Sequence, residues 1–261
     1  MDLQLTGHRA LITGAHRGTG EVIARRLAAE GAAVVVHGFD ATQATSVAGS
    51  IDGAIAVSGD LMTDPGADAV WTAANREGPV DILINNYGRA QRGTFASPTE
   101  DWVRMYEENL LSTMRLVRLA LPSLRAAGWG RIINLGTIGS TRPNAENPHY
   151  YAAKGALANM TVALAKAVAG SGITVNIVSP GIIHTAEVEE SLRTLGRQAG
   201  WGESWPEIER AAVAERFPNA VGRLARREEI ADLVCYLASP RADFIHGQNL
   251  RIDGGAVDVV N

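Results

Sequence analysis

In the stretch HYYAAKGALANM, Tyr150 and Tyr151 stand four and three residues before Lys154. In a helix either spacing brings a phenol and an ammonium onto one face. A free phenol ionises at about pH 10, too high for a base at neutral pH. A neighbouring cation favours the phenolate, so such a pair could pass a proton to or from a substrate oxygen. The same spacing also arises in helices that merely pack. Chemistry at a ketone or alcohol further needs a hydroxyl to hold the oxygen and a cofactor to carry hydride.

The start of the chain offers a cofactor site. In ALITGAHRGTGEVIARRLAAEG, Gly14, Gly18 and Gly20 follow an apolar run and lead into a helical pattern. Glycines there permit a tight turn and close approach of a pyrophosphate to the backbone, with the helix N-terminus facing the anion. The flanking strand and helix are what this motif requires. His16, Arg17 and Thr19 fill the rest of the loop. A dinucleotide with a free ribose 2′-hydroxyl calls for an acid at the end of the second strand. That strand ends VVVHGFD, with Gly38 at the acid's place, then Phe39, and Asp40 two residues late. The missing acid, with Arg17 and His16 as partners for a 2′-phosphate, favours NADP(H) over NAD(H). A second cation after the strand is absent.

These residues must be held by a scaffold, and the chain alternates strand and helix throughout. Apolar runs stand at RALIT, AAVVVH, AIAVSG, DILIN, GRIINLG, ITVNIVS and QNLRID. Helical patterns occupy 19–30, 41–51, 64–77, 99–127 and 150–170, and REEIADLVCYLAS precedes the last strand. Strands without polar alternation suit a sheet covered on both faces, and the alternation predicts a doubly wound parallel α/β sheet. Residues 186–222 break the rhythm and predict two short helices forming a lid after the sixth strand. At 261 residues, with no linker tract, one domain spanning 1–261 is expected. The net charge of −4 gives no basic footprint for nucleic acid or anionic lipid. No run is long enough for a membrane span, the start carries no signal-peptide pattern, and the single Cys235 forms no internal disulfide. A cytoplasmic protein is expected, with no metal required.

The chain resembles the short-chain dehydrogenase/reductase family along nearly its whole length. The resemblance rests on TGAHRGTG, GDL at 59–61, NNYG at 85–88, Asn109, GRIINLGT, Tyr150 with Lys154, PGIIHT at 180–185 and DGG at 253–255. It implies a Rossmann-type fold and NAD(P)(H)-dependent interconversion of ketone and secondary alcohol. The family's tyrosine lies four before its lysine, which selects Tyr150 as acid/base and leaves Tyr151 to packing or the substrate wall. By the same resemblance Lys154 lowers the Tyr150 pKa and bonds the nicotinamide ribose. Thr137 stands where the family has serine and would donate to the substrate oxygen, with Ser140 as fallback. Asn109 would hold a water in a proton relay. Asp60 would meet the adenine amine beside Leu61, or cap the next helix. Asn85 and Gly88 resemble the turn at the adenosine ribose. Pro180, Gly181 and Ile183 resemble the nicotinamide wall, and Thr185 a carboxamide or pyrophosphate partner. Tyr87 replaces a common alanine, with its role open.

Substrate choice is expected from 138–149, 87–95 and the lid. Asn144, Asn147 and His149 could bond a polar substrate, Trp201 and Trp205 hint at an apolar one, and Arg193 and Arg197 could meet an anion. Each could equally be solvated or packed. The lid reads as longer than in the family's acyl-carrier reductases, which favours a free small-molecule carbonyl or alcohol. An NAD-linked dehydrogenase of a hydroxyacid, sugar or steroid alcohol is the second reading. A non-catalytic nucleotide-binding member is the third, disfavoured because Tyr150 and Lys154 are both kept. The apolar segments 99–127 and 150–170 imply, by resemblance, a homotetramer or dimer.

Overall fold

The computed structural model describes residues 1–258. Seven strands form one parallel sheet: β1 (Arg9–Ile12), β2 (Ala33–Gly38), β3 (Ile55–Ser58), β4 (Ile82–Asn85), β5 (Gly130–Leu135), β6 (Ile173–Pro180) and β7 (Asn249–Ile252). Their order is β3-β2-β1-β4-β5-β6-β7. Alternate residues of each strand serve opposite faces. Val34, Val36, Ile82 and Ile84 join one core, while Val35 and Leu83 join the other. Strands buried on both faces need apolar side chains at most positions, and the buried polar residues among them, such as Asn85 and Asn134, bond one another.

The first core is closed by α1 (Gly18–Ala29) and α9 (Arg227–Ala238), which pack together and bury Cys235. The second lies under α3 (Asp64–Ala74) and α5 (Ser112–Ala127), with α6 (Pro148–Ala167) against β6. The chain leaves β1 through α1 and α2 (Ala41–Ala48) toward β3, then crosses back to β4 on the other side of β1. A reversal of this kind opens a crevice at the carboxyl ends of β1 and β4.

The helical segment at 99–127 is not continuous. After α4 (Thr99–Tyr106) comes one wide π-turn at Glu107–Leu111, and α5 then resumes. Asn109 lies in that turn, and its amide nitrogen donates to the Met105 carbonyl at 3.1 Å. A side chain competing for that carbonyl accompanies the widened turn. The two helices expected within 186–222 are α7 (Ala186–Ala199) and α8 (Trp205–Glu215). They enclose their own small core of Leu192, Trp201, Ile208, Ala212, Val213 and Leu224.

Candidate active site

The crevice floor is made of glycine for steric reasons. Gly14 and Gly18 both hold φ of +62°, a region that side chains other than glycine's enter at a cost. A Cβ on Gly20 would lie 2.5 Å from Asn86 Nδ2 and 2.6 Å from the Gly14 carbonyl oxygen. Helix α1 has no side-chain cap, so its first N–H groups face the crevice. Arg17, Thr19, Asn86, Gly88 and Arg89 line the same groove, and a buried His16 Nδ1 there has no partner. Free N–H groups, a cation and a side-chain-free floor fit a dinucleotide pyrophosphate.

His37 holds this loop, a role the apolar strand pattern concealed. Its Nδ1 accepts from Gly14 N–H at 3.1 Å, which leaves Nε2–H to donate to the Gly59 carbonyl at 3.0 Å. Burial pushes its pKa down to about 4 from 6.5. A proton on Nδ1 would face the Gly14 N–H. The folded value lies below the unfolded one, so this stabilisation is whole above pH 6.5 and drains away as pH falls toward 4. Thermal melts across that window should show falling stability in the wild-type chain and a flatter dependence in His37→Gln.

At the ribose end, Asp40 is spent as the cap of α2, accepting from Thr42 and Gln43 N–H. Phe39 instead packs on Tyr87, ring centres 4.8 Å apart, and both line the groove. Arg17 forms a 3.0 Å pair with Glu187 of the lid, both largely exposed. Four expected cofactor residues sit elsewhere. Leu61 is buried in the second core. Asn85 donates to Asn134 inside the sheet at 2.9 Å. Asp60 accepts from Met62 N–H, while Thr63 caps α3. Thr185 caps α7. The neighbours Asn86 and Met62 reach the groove instead.

The catalytic candidates meet at the groove's end. Thr137 follows β5 and caps the short turn Ile138–Ser140 by accepting from Gly139 N–H. Ser140 donates its own hydroxyl to the Thr137 carbonyl at 2.8 Å, so Thr137 has the freer hydroxyl. Tyr150 lies in the first turn of α6 and is pushed well above the ordinary phenol range by burial, then by Tyr151, with the Thr137 hydroxyl opposing. Tyr151 lies tight against Gly139, where no Cβ fits. Lys154 is buried and donates to the Leu135 carbonyl at 2.8 Å, and burial lowers its pKa to about 8. Burial is the largest influence on the Tyr150 phenol, and Lys154 is not among the groups that move it. Asn109 donates to the Arg89 and Met105 carbonyls and leaves a buried Oδ1 without a partner. A Cβ on Gly88 would lie 2.6 Å from that Oδ1 and 3.1 Å from Lys154 Nζ, so Gly88 keeps open a space both atoms face.

A cavity of about 450 Å³ has Thr137 and Gly181 in its lining, with the loop that follows α8 along another side. Pro180 ends β6, and Ile183 forms a bridge to Ala225 at the lid's far end. The lid's tryptophans do not form the cavity wall: Trp201 sits in the lid core, and Trp205 stacks on His184 at 4.5 Å. Arg193 pairs with Glu189, and Arg197 donates to Thr194. His149 is buried beside Trp102, accepting from Tyr150 N–H.

A family model described as enoyl-(acyl carrier protein) reductase matches residues 14–257. The chain is 35% identical over 266 residues to 3-oxoacyl-[acyl-carrier-protein] reductase FabG of Escherichia coli (strain K12), covering 97% of this chain and 98% of the relative. The lengths correspond, so overall length gives no support to a longer lid. It is 34% identical over 265 residues to the uncharacterized oxidoreductase YvaG of Bacillus subtilis (strain 168), covering 98% of both. Among solved structures, L-sorbose reductase from Gluconobacter frateurii, complexed with NADPH and L-sorbose, superposes with a TM-score of 0.93 over all of both chains at 30% identity. A 7α-hydroxysteroid dehydrogenase complexed with NADH and 7-oxo glycochenodeoxycholic acid gives 0.87 at 30% identity, over 100% of this chain and 98% of that one.

Proposed function

The chain belongs to the short-chain dehydrogenase/reductase family, and from that membership we propose that it reduces a ketone to a secondary alcohol, or the reverse, with NADP(H) preferred. As a member it is a nicotinamide-dependent oxidoreductase. The observation that carries the proposal is that Gly88 of the glycine-floored groove faces both Asn109 Oδ1 and Lys154 Nζ, while Tyr150, one helical turn before Lys154, is bonded by the Thr137 hydroxyl.

A nicotinamide, when bound, would supply or accept hydride. Gly14, Gly18, Gly20 and the α1 N-terminus would hold its pyrophosphate, and Gly88 would leave room beside Lys154 for the ribose. Thr137 donates to the substrate oxygen as negative charge gathers there. Tyr150 then gives its proton to that oxygen. A phenol with a raised pKa is fully protonated at neutral pH, which is the form reduction requires. Oxidation needs the phenolate and so runs best in alkali. Lys154 and the unpaired Asn109 Oδ1 together hold a water that returns the proton to Tyr150.

The preference for NADP(H) has two supports. Asp40 is committed to its helix cap and is not free to bond a ribose 2′-hydroxyl. The exposed Arg17–Glu187 pair is worth about 1 kcal/mol or less, so Arg17 can turn to that phosphate cheaply. Exposed Val103 on α4 and Val162 on α6 favour a homo-oligomer built through these helices. The lone buried thiol of Cys235 suits the cytoplasm. Fluorescence titration with NADPH and NADH, followed by absorbance assays on a ketone panel, tests the reading. Saturable binding with tighter NADPH supports it, and binding of neither nucleotide overturns it.

A further inference from the structure

We propose that the substrate is an oxo acid or hydroxy acid, its ketone or alcohol carbon at Thr137 and its carboxylate at Arg142 and Arg216. This rests on the oxidoreductase reading above and deepens it. The cavity that Thr137 lines has apolar walls, among them Ile138, Pro143, Ile182, Phe217 and Leu224. Its charges are unevenly committed. Arg223 is locked to Glu229 by two hydrogen bonds of 2.9 and 2.5 Å, and Glu229 also accepts from Arg226 N–H. The Asp253 carboxylate is taken by the N–H groups of Gly255 and Val257. Both acids of the lining are thus engaged.

The two remaining cations are not so held. Arg142 donates to the Ala256 carbonyl and, among the described residues, has no carboxylate partner. Arg216 reaches Glu146 only at 3.4 Å, with both side chains exposed. A carboxylate there would gain charge-assisted bonds from one guanidinium and displace a weak rim pair at the other. An apolar stem between the two ends accounts for the walls. The arginines picked out on the lid helix are occupied elsewhere, by Glu189 and Thr194. The anion anchor falls to the loop after Thr137 and the end of α8.

The test compares aliphatic oxo acids of graded length with their methyl esters, by kcat/KM, in the wild-type protein, Arg142→Gln, Arg216→Gln and the double variant. Both side chains are exposed, so the substitutions leave the core untouched. A wild-type acid-to-ester ratio of about ten to one hundred, shrinking toward one in the double variant chiefly through KM, is expected. A wild-type ratio near one, or a ratio that survives the double substitution, overturns the assignment. So does reduction of neutral ketones alone. Failure to bind either nicotinamide nucleotide is a separate result, since it overturns the enzyme reading beneath this one.

Discussion

Tyr150→Phe is expected to lower kcat by about a thousandfold while leaving nucleotide binding and thermal stability near wild type. The substitution removes one hydroxyl and keeps the ring. The Tyr150 ring also packs 5.5 Å from that of Tyr151, and phenylalanine preserves this contact. The loss is therefore a loss of proton transfer. In the wild-type protein, reduction should hold up across neutral pH, because burial keeps the phenol protonated there. Oxidation of the alcohol should rise into alkali and lose that rise in the variant. Thr137→Val and Thr137→Ser separate the second hydroxyl: valine keeps the volume and loses the donor, and serine keeps the donor. Near-normal turnover in Tyr150→Phe would sink the mechanism and leave the fold standing.

Gly20→Ala should weaken nucleotide binding by about tenfold or more, since each 1.4 kcal/mol lost is a factor of about ten. One methyl group has this effect because of what it meets. Its carbon would lie 2.6 Å from the Gly14 carbonyl oxygen and 2.9 Å from the Ala15 Cα, both backbone atoms. The loop must move, and the N–H groups that face the anion move with it. Gly18→Ala is the matched control. A Cβ there meets nothing within 4 Å, and the cost is the left-handed backbone alone, about 1 kcal/mol. NADPH titration of both variants reads the contrast. Equal affinities in the two would show that the groove does not seat the pyrophosphate.

The sheet was legible because burial on both faces keeps most strand positions apolar. The glycine loop was legible because its residue types answer a local steric demand. The paired phenol and ammonium needed only helical spacing to be seen, although the spacing does not say which acceptor the ammonium prefers. Leu135 lies on another strand, and no periodicity announces it. His37 escaped notice because a histidine in a valine run reads as one more core residue until Gly14 and Gly59 close around it. Leu61 and Asn85 show how little sequence separates one side of the chain from the other. Each is one residue from a side chain that does reach the groove, and in a strand or turn one residue reverses direction. Arg142 sits in a polar loop that reads as solvated, and its place above a cavity depends on residues as distant in sequence as Ala256.

The wide turn at Glu107–Leu111 has a bearing on how this stretch of chain tolerates change in length. Each residue advances a regular helix by about 100°. The wide turn holds one residue more than a regular turn. Deleting one residue here would close it to a regular turn and keep the faces of α4 and α5 in register, with Met105 still buried and Trp102 still against His149. A deletion in α4 itself has no such slack and turns everything before it by about 100°.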